Sequence, residues 1–207
     1  GNMDEAIDFL RKNGQAKAEK KAGRIAAEGL CNVLVEDDKV AVVVEVNSET
    51  DFVAKNEKFQ SFVASVAKQA LVSKSENIDE FVQENWIEDT AKTVKDALVE
   101  QISVIGENLT IRRFEKVVAQ NGCVVSYVHG GGRIGVIIEA DTTVVNDQVK
   151  TALTNVAMQV AALSPKYVSQ ADVSEEYKNH EKEILLAQAK NENPDKPESI
   201  IEKMIIG

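Results

Sequence analysis

The sequence predicts an α+β protein with two related subdomains, each a small antiparallel sheet covered by one helix. Three observations carry this prediction: two hairpin-like pairs of β-branched runs, an amphipathic helix after each pair, and two highly charged helical segments that form a protruding arm. The expected division is 1–22 for a short helical N-terminal piece and linker, 23–106 and 107–172 for the two core subdomains, and 173–207 for the arm.

The N-terminal piece has a helical pattern over residues 3–13, which we expect to end at Gly14 in a C-capping role. A basic helical stretch follows at 15–22 and ends with Lys20 and Lys21.

The first subdomain begins with a predicted hairpin of strands 29–35 and 40–46. Apolar residues then recur at i, i+3, i+4 and i+7, which is typical of an amphipathic helix. The apolar positions are Phe59, Phe62, Val63, Val66, Ala67, Ala70 and Leu71. Residues 73–89 are predicted to form a connection with a short helix, and 90–104 a further helix that ends at Gly106.

The second subdomain begins with a predicted strand at 108–118, followed by a hairpin of strands 123–128 and 134–138. A helix is expected over 146–163. The charged helices 173–190 and 197–205 then predict an antiparallel arm that projects from the core.

An internal repeat relates the two subdomains. A shift of 94 positions places Ile134–Ala140 on residues 40–46 with Glu139 on Glu45, and a shift of 90 pairs all seven apolar helix positions with apolar residues. The first copy therefore has four extra residues between strand and helix, in the tract of Thr50, Asp51, Phe52 and Val53. Because the second copy does without them, we interpret this insertion as a binding element. The alternative is that Phe52 folds back as a hydrophobic staple.

Composition argues against nucleic acid and membranes as partners and against secretion. The net charge of −10 disfavours nucleic acid or an anionic membrane as a partner, since both attract positive charge. No apolar run approaches the roughly 20 residues of a membrane span, and no secretory signal opens the sequence. Cys31 and Cys123 match no zinc or redox spacing and are expected to be core residues. Because two thiols without a secretory signal indicate a reducing compartment, we expect a cytoplasmic protein. Both ends of the sequence look cut.

The glycines between His129 and Gly135 invite comparison with a phosphate-binding loop. A strand follows them, however, where a nucleotide loop would open a helix, so a flexible hairpin turn is the preferred interpretation. No pattern for a metal site, a cofactor or a catalytic nucleophile is found, and an enzyme is unsupported.

Several segments resemble bacterial translation elongation factor Ts. They are EVNSETDFVAKN at 45–56, KKAGRIAAEG at 20–29, IGEN at 105–108, IRR at 111–113, YVHG at 127–130, RIG at 133–135 and VAMQVAA at 156–162. The resemblance covers nearly the whole sequence and implies guanine-nucleotide exchange on the GTPase elongation factor Tu, with no chemical reaction and no cofactor.

The resemblance also implies roles for individual residues. Asp51 and Phe52, between Thr50 and Val53, would enter the partner beside its magnesium and nucleotide site. Further partner contacts would come from Lys21, Ile105, Gly106 and His129. The arm would touch another domain of elongation factor Tu.

Two departures from the family pattern are expected. Only the last helix of the family's N-terminal three-helix module is represented, and longer members continue past residue 207 through a further strand and helix. The rival interpretation is a non-catalytic assembly module in which the repeat and arm form a homodimer.

Overall fold

The computed structural model describes residues 2–205, which form two compact units. The first unit ends at Leu163 and the second starts at Ser164. Gly1, Ile206 and Gly207 lie outside the described residues. Within 2–205, no helix has the length and apolar character needed to cross a membrane.

The first unit combines helices with small antiparallel sheets, which confirms the predicted α+β class. The elements are α1 (Met3–Lys21), β1 (Glu28–Glu36), β2 (Val40–Ser48), α2 (Asp51–Ala54), α3 (Glu57–Val72), α4 (Ile78–Phe81), β3 (Asn85–Trp86), β4 (Asp89–Thr93), α5 (Val94–Ile105), β5 (Thr110–Val118), β6 (Cys123–His129), β7 (Ile134–Ala140) and α6 (Asp147–Leu163). The strands form three sheets, with the orders β1-β2-β5, β3-β4 and β6-β7.

The first predicted hairpin is confirmed as β1 and β2. Asp37 and Asp38 form its turn with φ values of 51° and 56°, the left-handed geometry of a type I′ turn. β2 is the central strand because β5 pairs antiparallel with its other side. β5 comes from the predicted 107–172 segment yet completes the sheet of the predicted 23–106 segment, and the four-part division stays a prediction.

The main core lies between this sheet and α3. Phe59, Val63 and Val66 of the predicted apolar face are buried against the valines of β2. Phe62 packs on Trp86 with ring centroids 5.8 Å apart. The predicted apolar positions therefore place α3 across the sheet as expected.

The hairpin β6-β7 and helix α6 repeat this arrangement. α6 starts 90 positions after α3, as the internal alignment predicts, and covers the hairpin through Val136, Ala157 and Ala161. The link before α3 contains the one-turn helix α2, whereas residues 141–146 before α6 contain no helix. The extra residues of the first copy therefore form most of α2.

The turn of the second hairpin packs closely on β1. Cys31 N donates to the carbonyl oxygen of Gly132 at 2.7 Å. Gly132 has a φ of 99°, and a Cβ there would lie 2.9 Å from Leu30 Cδ2. The predicted hairpin turn is confirmed, and at Gly132 the glycine permits close contact between the two copies of the repeat.

The predicted helix end at Gly14 is wrong, since α1 continues unbroken to Lys21. Gly14 and Ala18 are buried, and a Cβ at Gly14 would lie 3.4 Å from Val99 Cγ1 of α5. The small residues therefore allow the two helices to approach each other.

The predicted helix over 90–104 begins later than expected. Residues 89–93 form β4, and α5 starts only at Val94. Thr93 and Asp96 form a capping box: Asp96 N donates to Thr93 Oγ1 at 3.1 Å, and Thr93 N donates to Asp96 Oδ2 at 3.0 Å. The short hairpin β3-β4 was not predicted.

The second unit confirms the two helices predicted for the arm, α7 (Glu175–Glu192) and α8 (Glu198–Met204). Ser174 caps α7 by accepting from Tyr177 N at 3.1 Å. α8 packs on α7, and its Ile201 is buried. The projection of this pair from the core stays a prediction.

Candidate partner-binding surface

The insertion folds into a one-turn helical protrusion, residues 50–54, which we call the α2 protrusion. Thr50 is its N-cap, with extended backbone angles and a side-chain oxygen that accepts from Val53 N at 3.4 Å. Asn56 then caps α3 by accepting from Lys58 N at 2.9 Å. Two caps in close succession break the helix between α2 and α3, so the protrusion stands as a separate turn.

Phe52 projects from this turn into solvent with 80% of its surface exposed. The next residues face inward: Val53 packs against the main core and Ala54 is buried. Successive helical residues point about 100° apart, so a single turn can present one side chain outward while it anchors the next. The alternative of a hydrophobic staple is therefore wrong.

Asp51 opens the α2 protrusion and carries a lowered pKa. The main cause is a hydrogen bond from Lys55, whose Nζ lies 2.7 Å from Asp51 Oδ2, with further contributions from the charges of Lys55 and Arg133. The ionised carboxylate at the first helical turn also suits the helix dipole. The protrusion therefore presents an aromatic ring beside a fixed negative charge.

A carboxylate from a distant loop holds the base of the α2 protrusion. Glu107 Oε2 accepts from the backbone N of Glu49 at 3.0 Å and of Thr50 at 3.1 Å, and Thr50 Oγ1 donates to Glu107 Oε1 at 2.7 Å. In return, Asn108 N donates to Glu49 Oε1 at 2.6 Å. We call these four residues the Glu107 clasp.

Ile105 and Gly106 lie directly before this clasp. Ile105 ends α5 and is half-buried against the main core. Gly106 is exposed, with a left-handed φ of 89°, and its N–H closes the helix on Ile102 O at 3.0 Å. Lys21 Nζ approaches the same Ile102 oxygen at 3.5 Å. Three predicted site residues thus lie at the C-terminal end of α5.

His129 ends β6 and is exposed. Its Nδ1 lies 2.9 Å from the hydroxyl of Tyr127 on the same strand. The carbonyl oxygen of His129 accepts from Arg133 N at 3.0 Å, and the charge of Arg133 acts on Asp51. The His129 side chain therefore pairs with Tyr127, and its turn carries a charge that acts on Asp51.

The structure thus joins residues 50–53 to Ile105 and Gly106 through the Glu107 clasp, with Lys21 at the same end of α5. Reasoning from the sequence missed Glu107 and Arg133 as participants. Both lie in the quoted segments IGEN and RIG, but only the fold shows that Glu107 bonds to the protrusion and that the charge of Arg133 acts on Asp51.

The two cysteines and the candidate metal ligands of the described residues lack the features of a catalytic site. Burial, together with the charge of Glu45, raises the pKa of the Cys31 thiol, which makes it a poor nucleophile. Cys123 is buried in the core, as predicted. Within 2–205, His, Cys, Asp and Glu side chains form no group that could hold a metal ion.

Comparisons with known proteins agree on one family. The profile described as Elongation factor TS matches residues 49–207. "Elongation factor Ts" of Clostridium novyi is 48% identical over the whole of this chain and 67% of its own length. The proteins of the same name from Clostridioides difficile and Halothermothrix orenii are 50% and 45% identical, over 67% and 68% of their lengths. With a profile that matches most of the chain and relatives near half identity, the chain belongs to the elongation factor Ts family of nucleotide exchange factors in translation elongation.

Proposed function

We propose that this chain releases GDP from elongation factor Tu by inserting the α2 protrusion beside the partner's magnesium and nucleotide site. One observation carries the proposal above all others: Phe52 holds an exposed aromatic ring on a turn that the second copy of the repeat lacks. Exposed aromatic residues on well-anchored turns are typical of the residues that dominate binding energy at protein interfaces.

Thermodynamic linkage explains how such an insertion would work. If the chain binds nucleotide-free partner more tightly than nucleotide-bound partner, the nucleotide must bind less tightly by the same factor. A thousandfold weakening requires about 4 kcal/mol. Burial of one aromatic side chain gives roughly 1.5–3 kcal/mol, so Phe52 would supply a large share of the energy.

The remaining residues define a wider contact surface. We assign Lys21, Ile105 and Gly106 to it because they lie at one end of α5 beside the Glu107 clasp. We assign His129 to it because it is exposed at the end of β6, at the turn whose Arg133 charge acts on Asp51. The second unit would contact another domain of the partner. A cytoplasmic location and the absence of nucleic-acid and membrane partners remain part of the proposal.

Release of fluorescent GDP from elongation factor Tu tests the proposal. We expect the chain to accelerate release, and Phe52→Ala to lower the maximal rate about tenfold to a hundredfold. Phe9→Ala is the matched control, because Phe9 is 65% exposed on α1 and lies about 18 Å along the helix axis from Lys21. Equal losses in the two variants would contradict the proposal.

Self-association is the alternative outcome of the same experiment. Unchanged GDP release together with the mass of a homodimer in solution would favour an assembly module over an exchange factor.

A further inference from the structure

Glu107 uses both carboxylate oxygens on the α2 protrusion. One oxygen accepts from two successive backbone N–H groups, and the other from the hydroxyl of Thr50. Hydrogen bonds to a charged acceptor are stronger and more directional than neutral ones. The backbone that enters α2 is therefore fixed by one side chain from a different part of the fold.

The clasp also sets the cap of α2. Because the Thr50 hydroxyl donates its proton to Glu107, its lone pairs are free to accept from Val53 N. Removal of Glu107 would release that hydroxyl to rotate, and the cap would lose the hydrogen bond that orients it.

A second set of contacts restrains the same loop from the other side. Asn108 N donates to Glu49, and Asn108 Nδ2 donates to the carbonyl oxygen of Arg24 at 2.8 Å. Ser48, which is fully buried, donates to Thr50 O at 3.0 Å. The loop before α2 is thus anchored to the segment that follows Gly106.

Apart from Val53, which packs against the main core, and Ala54, which is buried, the α2 protrusion is held by the contacts at its base. A single helical turn is unstable alone, because nucleation fixes several residues for very few hydrogen bonds. Only Ala54 of the four residues of α2 is buried. The direction in which Phe52 points therefore depends on the contacts at its base.

We propose that Glu107 is a positioning residue for nucleotide exchange, which holds the start of α2 so that Phe52 enters the partner in one orientation. The proposal rests on the proposed function, since it assigns Glu107 a role only through Phe52. It also couples the α2 protrusion to Ile105 and Gly106, so that both would meet the partner as one rigid surface.

Glu107→Gln tests this role. The glutamine keeps the shape of the side chain but removes its charge, and it cannot accept on both sides. Either its NH₂ group faces the two backbone donors of Glu49 and Thr50, or it faces the Thr50 hydroxyl, which must then accept instead of donate. We expect the maximal rate of GDP release to fall about tenfold while the half-saturating concentration changes less than about threefold. Glu115→Gln, which removes an exposed carboxylate from β5, is the matched control and should leave both values unchanged.

A double-mutant cycle separates positioning from general destabilisation. In the Phe52→Ala background, Glu107→Gln should cause no further loss of rate, because the side chain it positions is already absent. An equal fold-loss in both backgrounds, or a rate for Glu107→Gln equal to that of Glu115→Gln, would overturn the proposal.

The same rates of GDP release distinguish a failure of the proposed function from a failure of the role of Glu107. If the chain accelerates release and Phe52→Ala abolishes the effect while Glu107→Gln does not, the proposed function stands and the role of Glu107 fails. If the chain does not accelerate release at all, both fail. Should Glu107→Gln not fold, Glu107→Asp makes the same comparison, since it keeps the charge but shortens the side chain that reaches Glu49 and Thr50.

Discussion

Phe52 and Phe59 lie seven positions apart and in opposite environments: Phe52 is 80% exposed, and Phe59 is fully buried in the main core. The first lies on the exposed turn α2, and the second lies in the helix that covers the sheet. Their contrast separates a residue that is free to meet a partner from one that stabilises the protein.

The two phenylalanines should differ sharply in their effect on stability. We expect Phe59→Ala to lower the free energy of unfolding by about 3–5 kcal/mol, because it leaves a cavity in the core. Phe52→Ala should change it by less than about 0.5 kcal/mol, as is usual for exposed positions. Urea denaturation measures both, and a loss above about 1 kcal/mol for Phe52→Ala would show that the ring packs on its own protein.

Gly132→Ala should destabilise the contact between the two copies of the repeat. The new methyl group would lie 2.9 Å from Leu30 Cδ2 and 3.2 Å from Cys31 O, at a φ of 99°. Gly131→Ala is the control, because its φ is 67° and its Cβ meets no atom within 4 Å.

We expect a cost of about 1–2 kcal/mol for Gly131→Ala from backbone strain alone, and a clearly larger cost for Gly132→Ala. Thermal denaturation of the two variants measures the difference. Equal melting temperatures would mean that the hairpin turn does not press on β1.

Glu84 should stabilise the protein at neutral pH and lose this effect in acid. Burial acts to raise the pKa of this carboxyl, but hydrogen bonds from Gln69, Ser73 and Ser75 outweigh it and hold the pKa below its ordinary value of 4.5. The stabilisation is therefore fully present above the pKa of the unfolded chain and is lost as the pH falls through the lower folded value.

Glu84→Gln should be less stable than the natural chain at pH 7, and the gap should shrink as the pH falls below 4.5. Urea denaturation at pH 7 and at about pH 3 measures this change. A gap of constant size across that range would contradict the prediction.

Lys55 should control the ionisation of Asp51. Their 2.7 Å contact lowers the pKa of Asp51, so Lys55→Gln should raise it toward its ordinary value of 3.8. An NMR titration of the Asp51 carboxyl carbon measures the shift directly. No change in the variant would mean that the charge of Arg133 or the helix dipole dominates at this site.

Short-range patterns predicted most of the fold. The spacing of Phe59, Val63 and Val66 identifies α3, and the internal alignment locates α6 and the extra residues before α3. The exposure of Phe52 also agrees with the interpretation of that insertion as a binding element.

Predictions from the sequence fail where tertiary contacts or local caps decide the structure. Gly14 looks like a helix end, but its missing side chain serves the packing of α1 on α5. The cap at Thr93 delays the start of α5, although the apolar pattern begins earlier. Glu107 could not be assigned from one sequence, because its partners lie 57 and 58 positions away and no local pattern pairs them.

That separation has a consequence for the chain as it emerges from the ribosome. Long-range contacts form only after the intervening chain has been made, and they pay a larger closure entropy than local ones. A nascent chain that stops short of Glu107 already contains the complete EVNSETDFVAKN segment, yet it lacks the carboxylate that holds the entry to α2. The α2 protrusion should therefore reach its final geometry late in synthesis, well after its own residues have been translated.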